Sequence, residues 1–171
     1  MGTGGGTVST LDLGDVDRFT VGTVGPLGRR TFLLQCRTDA TVLTLKVEKQ
    51  QVAVLAEYLG RLLRDLPRPG HLPEELDIEA PAEPHWTVGT LGVSYDDALD
   101  RIVLMAEEMA AEDEDGDVAR FTVTREQAAA FAVRATSLVE AGRPPCPLCG
   151  GPIDPSGHQC PRTNGHRPPT T

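Results

Sequence analysis

The last quarter of the chain holds the residues best suited to chemistry. Cys146 and Cys149 form a Cys-x-x-Cys pair in Cys146-Pro147-Leu148-Cys149-Gly150-Gly151, and His158-Gln159-Cys160-Pro161 follows. One tight turn aims both sulfurs of such a pair at a single point, and a glycine after the second cysteine permits the positive φ that the turn needs. Three thiolates and an imidazole are borderline-soft donors that favour tetrahedral zinc. Cys160 supplies the third sulfur. His158 and His166 compete for the fourth place: His158 sits beside Cys160 and follows Gly157, whereas His166 offers a Cys-x5-His spacing. Four donors with no nearby Glu to act as base point to a closed, structural Zn2+ rather than a catalytic one with an open position. A short segment of prolines and glycines has no core of its own, so the metal would hold it together. A redox pair is the weaker reading, because a redox Cys-x-x-Cys normally opens a helix after a strand, where the dipole lowers the thiol pKa.

No other catalytic constellation stands out. Cys36 lies on the inward face of an expected strand and reads as a small buried hydrophobe. His71 and His85 fall in or beside a proline-rich connector, where solvent exposure is their simplest fate. The acidic run from Glu107 to Asp117 fails the calcium-loop template, since its glycine comes early and no Glu closes it; a solvated hairpin tip is expected instead. The glycines of Val21-Gly22-Thr23-Val24-Gly25 lie in strand context with no helix after them, so they form no phosphate loop.

Composition narrows the class of partner. A chain of 171 residues makes one domain with at most a small appendage, and 39% hydrophobic residues are enough for a core. The net charge of −9 opposes binding to a phosphate backbone or an anionic membrane surface, both of which need clustered Lys and Arg. No apolar run approaches the ~18 residues that a membrane-spanning helix requires. The Gly/Thr-rich start, Met1 to Thr10, lacks the basic and apolar parts of a secretory signal. The expected location is the cytoplasm, where four cysteines read as a metal site plus one free thiol.

The elements that must position the tail follow from periodicity. Residues 1–15, rich in Gly, Ser and Thr, are expected to be mostly a flexible lead-in that could touch the body at Leu11 and Leu13. Strands are expected at Arg18 to Gly25, Thr31 to Arg37 and Thr41 to Val47, with Phe32, Leu34 and Cys36, then Leu43, Leu45 and Val47, each on one face. A helix from about Glu48 to Asp65 carries the stripe Val52, Leu55, Leu59, Leu62, Leu63 and Leu66. Residues 67–84, with five prolines, form a connector that Leu76 and Ile78 could pin to the body. The pattern then restarts. Trp86-Thr87-Val88-Gly89-Thr90-Leu91-Gly92 parallels Phe19-Thr20-Val21-Gly22-Thr23-Val24-Gly25. Strands near Leu99 to Ala106 and Ala119 to Val123 follow, then a helix from Arg125 to Ala141 opened by the capping box Thr124-Arg125-Glu126-Gln127. The expected architecture is α+β: two βββα repeats (16–66 and 85–142) with an antiparallel sheet and helices packed as a pseudo-twofold unit. A zinc-knuckle tail (143–166) and a disordered end (167–171) complete it.

Phe32-Leu33-Leu34-Gln35, Val47-Glu48-Lys49-Gln50-Gln51-Val52 and the tail from Arg143-Pro144-Pro145-Cys146 to Gly157-His158-Gln159-Cys160-Pro161-Arg162 and Asn164-Gly165 resemble an uncharacterised actinobacterial family. That family is a domain of unknown function (DUF3090) labelled "repeat protein", and the resemblance covers nearly the whole chain. It favours His158 over His166 as ligand, because the Gly-His-x-Cys-Pro-Arg segment matches while the family often has another residue at the position of His166. It implies gene clusters with a histidine-phosphatase-like protein and a phosphoinositide-kinase-like protein, and no established activity.

The expected role is a non-enzymatic, zinc-containing binding or adaptor protein with a protein partner. Two alternatives stand beside it. Duplicated βββα units resemble the single-strand-binding Pur-type fold, which would require a sheet face lined by Arg18, Arg29, Arg30, Arg37 and Arg120. A small-ligand protein or enzyme would need a pocket between the repeats with convergent polar groups.

Overall fold

Side chains alternate across a strand, so apolar residues at every second position share one face. Phe19 and Val21, then Phe32, Leu34 and Cys36, then Leu43, Leu45 and Val47 are all buried in this way. The computed structural model of the chain describes residues 9–26, 28–80, 82–141 and 148. These three runs are β2 (Arg18–Val24), β3 (Thr31–Arg37) and β4 (Val42–Val47), and helix α1 (Lys49–Arg64) follows them. The order recurs in β5 (Trp86–Asp96), β6 (Arg101–Glu108), β7 (Val118–Val123) and helix α2 (Arg125–Ala141). Strand β1 (Thr10–Asp15) precedes them all. Among the described residues the fold is mixed α+β, with one seven-stranded sheet ordered β1-β7-β6-β5-β4-β3-β2 and two helices.

Two expectations are corrected. The sheet is not wholly antiparallel: β4 meets β5 in parallel at Leu45–Trp86 and Lys46–Thr87, and β1 runs parallel to β7 from Thr10–Val118 to Asp15–Thr122. The first parallel join arises because α1 and the connector bring the chain back alongside β4, where the His85 N–H donates to the Thr44 carbonyl and β5 sets off in the direction of β4. A crossover of that kind sets neighbouring strands in the same direction. Second, the supposed flexible lead-in contains β1. Its Leu11 is exposed and only Leu13 packs on the core, so the strand is held mainly by backbone pairing to β7.

Past β1 the chain bends sharply. The Val16 N–H donates to the Thr122 carbonyl (3.1 Å) and the Asp17 N–H to the Arg37 carbonyl (2.8 Å). Two residues thus carry the backbone from β7, second from one end of the strand order, to β3, second from the other. The sheet curls until its ends meet, and one face of it shares a single core with both helices. Three aromatics lock this closure: Phe19 of β2 stacks on Phe131 of α2 (centroids 4.1 Å apart) and tilts against Phe121 of β7 (5.4 Å).

Both helices begin with the same device. The Gln51 side chain accepts the Glu48 N–H (2.8 Å), and its amide nitrogen donates to the carbonyls of Val88 and Gly89 (3.3 Å each). The Gln127 side chain accepts the Thr124 N–H (2.8 Å), Thr124 Oγ1 accepts the Gln127 N–H (3.1 Å), and Gln127 donates to the Val16 carbonyl (2.9 Å). The expected capping box is therefore present at α2. Each glutamine also ties its helix start to the other half of the chain, Gln51 to strand β5 and Gln127 to the bend between β1 and β2.

The connector is more than a link. It crosses the outer face of β2, β3 and β4 and buries Thr20, Leu33, Gln35 and Thr44 beneath it. The Gln35 amide pairs with it as a strand would, accepting the Glu79 N–H (2.8 Å) and donating to the Glu79 carbonyl (3.1 Å) and to Thr44 Oγ1 (3.0 Å). Ile78 lies against Gly22, where a Cβ would collide with it, and the Leu76 carbonyl accepts from Thr20. Removing a buried partner costs the desolvation of what it leaves unpaired, about 1–3 kcal/mol. Gln35→Ala is therefore expected to lower stability by about 1–3 kcal/mol in urea melts. It should also speed proteolysis within residues 67–80, because the connector loses its central anchor.

Candidate functional site

Cys146, Cys149, His158 and Cys160, with the competing His166, lie outside the described residues. Among the described residues no group of three or more His, Cys, Asp or Glu side chains is arranged to hold a metal ion. Cys36 is fully buried, and burial pushes its thiol pKa up to about 12. It is the inert core residue that its strand position implied.

The feature that the fold does present is one edge of β5. This strand has 11 residues, yet β4 pairs only with Trp86 and Thr87. From Val88 to Asp96 it pairs with β6 on one side, and among the described residues no strand faces its other side. Gln51 takes up the Val88 and Gly89 carbonyls, so the open edge starts at Thr90. A bulge between Val88 and Thr90 re-aims the strand there. Gly89 is needed at the bulge, since a Cβ would come within 3.0 Å of the Met109 backbone.

Beside this edge runs a trough of about 600 Å³, walled by Gln50, Val54, Leu55 and Tyr58 of α1 and by Leu91 and Val93 of β5. Val54 is 57% and Tyr58 50% exposed, while Val52, Leu55 and Leu59 of the same helix are buried in the core. At Gly89 and Thr90 the trough meets a second depression carrying Glu107, Glu108, Glu114 and Asp115. The Glu108 carboxylate accepts the Asp117 N–H (2.9 Å). An unpaired strand edge offers a row of donors and acceptors to another chain, and proteins usually blunt it with lysine, proline or a cover. Here the edge lies next to an apolar groove, the arrangement by which a sheet takes on an added strand from a peptide.

Sequence reading ended this strand at Gly92. The continuing alternation of Val93 and Tyr95, both packed partly on the core, was the signal for its full length.

Beyond β5, Asp100 adopts φ of 49° and joins three parts of the fold. Its carboxylate accepts from Tyr95 (2.7 Å) and from Arg125 Nε (3.1 Å) and Nη2 (3.1 Å), while Arg125 also donates to the Pro67 and Arg68 carbonyls where the connector begins. The Tyr95 hydroxyl and the Arg125 guanidinium hold the Asp100 carboxyl below its ordinary range, and the hydrogen bond to Asp100 raises the Tyr95 pKa. A carboxyl lowered by folding stabilises above its unfolded pKa and loses that contribution as pH falls through the lowered value. In thermal melts the gap between the natural chain and Asp100→Asn is therefore expected to close as the pH drops below the carboxylate range.

The strand arginines face carboxylates. Arg18 and Arg37 both pair with Glu79 of the connector, and Arg120 pairs with Asp12 of β1 (3.3 Å). No described helix is long and apolar enough to cross a membrane.

A family model described as "Protein of unknown function (DUF3090)" matches residues 12–160. No curated protein and no solved structure matches the chain. Because the family match runs through well over half of the sequence, from β1 to the third of the expected ligand cysteines, the chain belongs to the DUF3090 family.

Proposed function

We propose that the protein is a non-enzymatic binding or adaptor module whose partner is another protein. One observation carries this reading: β5 outruns β4 and leaves a strand edge beside an apolar trough. The ion pairs of Arg18, Arg37 and Arg120, together with the net charge of −9, favour a protein over a nucleic acid as partner. The cytoplasm is the proposed location. The phosphatase-like and kinase-like proteins implied by the family resemblance are the first candidates. Co-expression with each, followed by size-exclusion chromatography, is expected to give a stoichiometric complex with one of them. Elution of the chain alone in both cases would remove the support for this reading.

The body is read as a duplication, β2-β3-β4-α1 followed by β5-β6-β7-α2. The parallel joins β4–β5 and β7–β1 support a pseudo-twofold relation, since the third strand of each unit hands on to the first-strand region of the other. The matching glutamines at the helix starts agree with it. The tail is proposed to hold one structural Zn2+ through Cys146, Cys149, His158 and Cys160, on the chemistry of its donors.

A further inference from the structure

We infer that the open edge of β5 receives an extended segment of another protein, apolar at alternate positions and basic where it lies over Thr90. This rests on the binding-module reading above and adds the chemistry of the partner. The argument comes from a difference between the two helices. With Gln51 set against Gln127, Leu55 falls on Phe131 and Leu59 on Ala135, and all four are buried. The same alignment sets Val54 against Ala130 and Tyr58 against Arg134. On α2, Ala130 is only 3% exposed, and Arg134 Nε donates to the Val21 carbonyl of β2 (2.6 Å). Strand β2 holds the place in its half that β5 holds in the other. One first strand is thus covered by the helix of the other half and plugged by an arginine. The other has two exposed apolar residues where the plug and its small neighbour would be.

Charge selects the end of the guest. Glu107, Glu108, Glu114 and Asp115 crowd the depression at Thr90, and a segment ending in Lys or Arg would relieve their mutual repulsion. A second copy fits less well. Pairing β5 antiparallel with itself would set this acidic depression against Asp96 and Asp97, like charge on like. The chain's own residues 142–171 hold eight prolines, and proline lacks the N–H that a strand edge pairs with.

The test uses the full-length, zinc-supplied chain and fluorescein-labelled peptides of alternating valine and threonine, with three lysines leading or trailing. Fluorescence anisotropy is expected to show binding by one of the two peptides. Exchanging its lysines for glutamates should weaken binding about tenfold or more, the equivalent of 1.4 kcal/mol. Tyr58→Arg, which installs the plug of α2 at an exposed position, should abolish binding without changing the thermal melt. Glu107→Lys combined with Glu114→Lys should reverse the charge preference. Failure of both peptides to bind, or unchanged affinity in Tyr58→Arg, would overturn the inference. So would a dimer of the natural chain that Tyr58→Arg dissociates, since the occupant would then be a second copy. If Tyr58→Arg still forms the complex with a protein partner, the β5 inference fails and the adaptor reading stands.

Discussion

Freshly purified, reduced protein is expected to carry one equivalent of zinc per chain, and Cys146→Ser, Cys149→Ser or Cys160→Ser to carry essentially none. Zinc held by cysteine and histidine in a short segment supplies on the order of 10–16 kcal/mol of folding free energy, because no site exists before the metal arrives. Loss of one thiolate opens a closed tetrahedral set. His158→Ala should lose the metal in the same way, while His166→Ala should keep it. The ligands must be deprotonated to bind, so acid is expected to release the zinc. The described body has a core of its own, running from Leu13 to Val139. Its thermal transition should therefore survive in the Ser variants while proteolysis of residues 143–166 accelerates. Elemental analysis and limited proteolysis on the same samples check both halves of the expectation.

Phe131→Ala is expected to be the most damaging single substitution in the body, at about 3–5 kcal/mol. Phe131 is fully buried and stacks on Phe19, which in turn touches Phe121. The cluster joins α2 to β2, at one end of the sheet order, and to β7, next to the other end, so the cavity would open where the curled sheet closes on itself. Domains are commonly stable by only about 5–15 kcal/mol, so the loss is a large share of the total. It corresponds to a fall in Tm on the order of 10–20 °C for a body of this size. Phe131→Leu fills more of the space and should cost clearly less. Urea and thermal melts of the two variants measure the difference. Near-equal effects would mean that refilled volume recovers nothing, and that the loss comes from the aromatic stack itself.

The parts of the fold that sequence made legible are those coded by local periodicity. Phe32, Leu34 and Cys36 alternate, Val52, Leu55 and Leu59 step by three and four, and Thr124 with Gln127 announces a helix start. Each signal lies within one element, and the structure has an element at each of those places. What stayed hidden depends on distant partners. β1 has one packed leucine and finds β7 more than a hundred residues away through main-chain bonds that no side chain records. The parallel join of β4 and β5 rests on two residue pairs. The connector read as proline-rich linkage because its grip on Gln35 and Thr20 uses its own backbone groups, which any sequence possesses. The open β5 edge was hidden for the same reason, since it consists of main-chain groups with no strand beside them among the described residues. The expected metal ligands rest on spacing alone and lie outside the described residues.

The account stands on β5 offering a bare strand edge from Thr90 to Asp96. Amide hydrogen exchange on the free, full-length chain, resolved by residue, tests this most directly. Alternate amides in this stretch, those turned away from β6, are expected to exchange rapidly while their neighbours bonded to β6 stay protected. Adding the binding peptide should then slow the fast set. Uniform protection along Thr90 to Asp96 in the free chain would show the edge already covered, and would contradict the account.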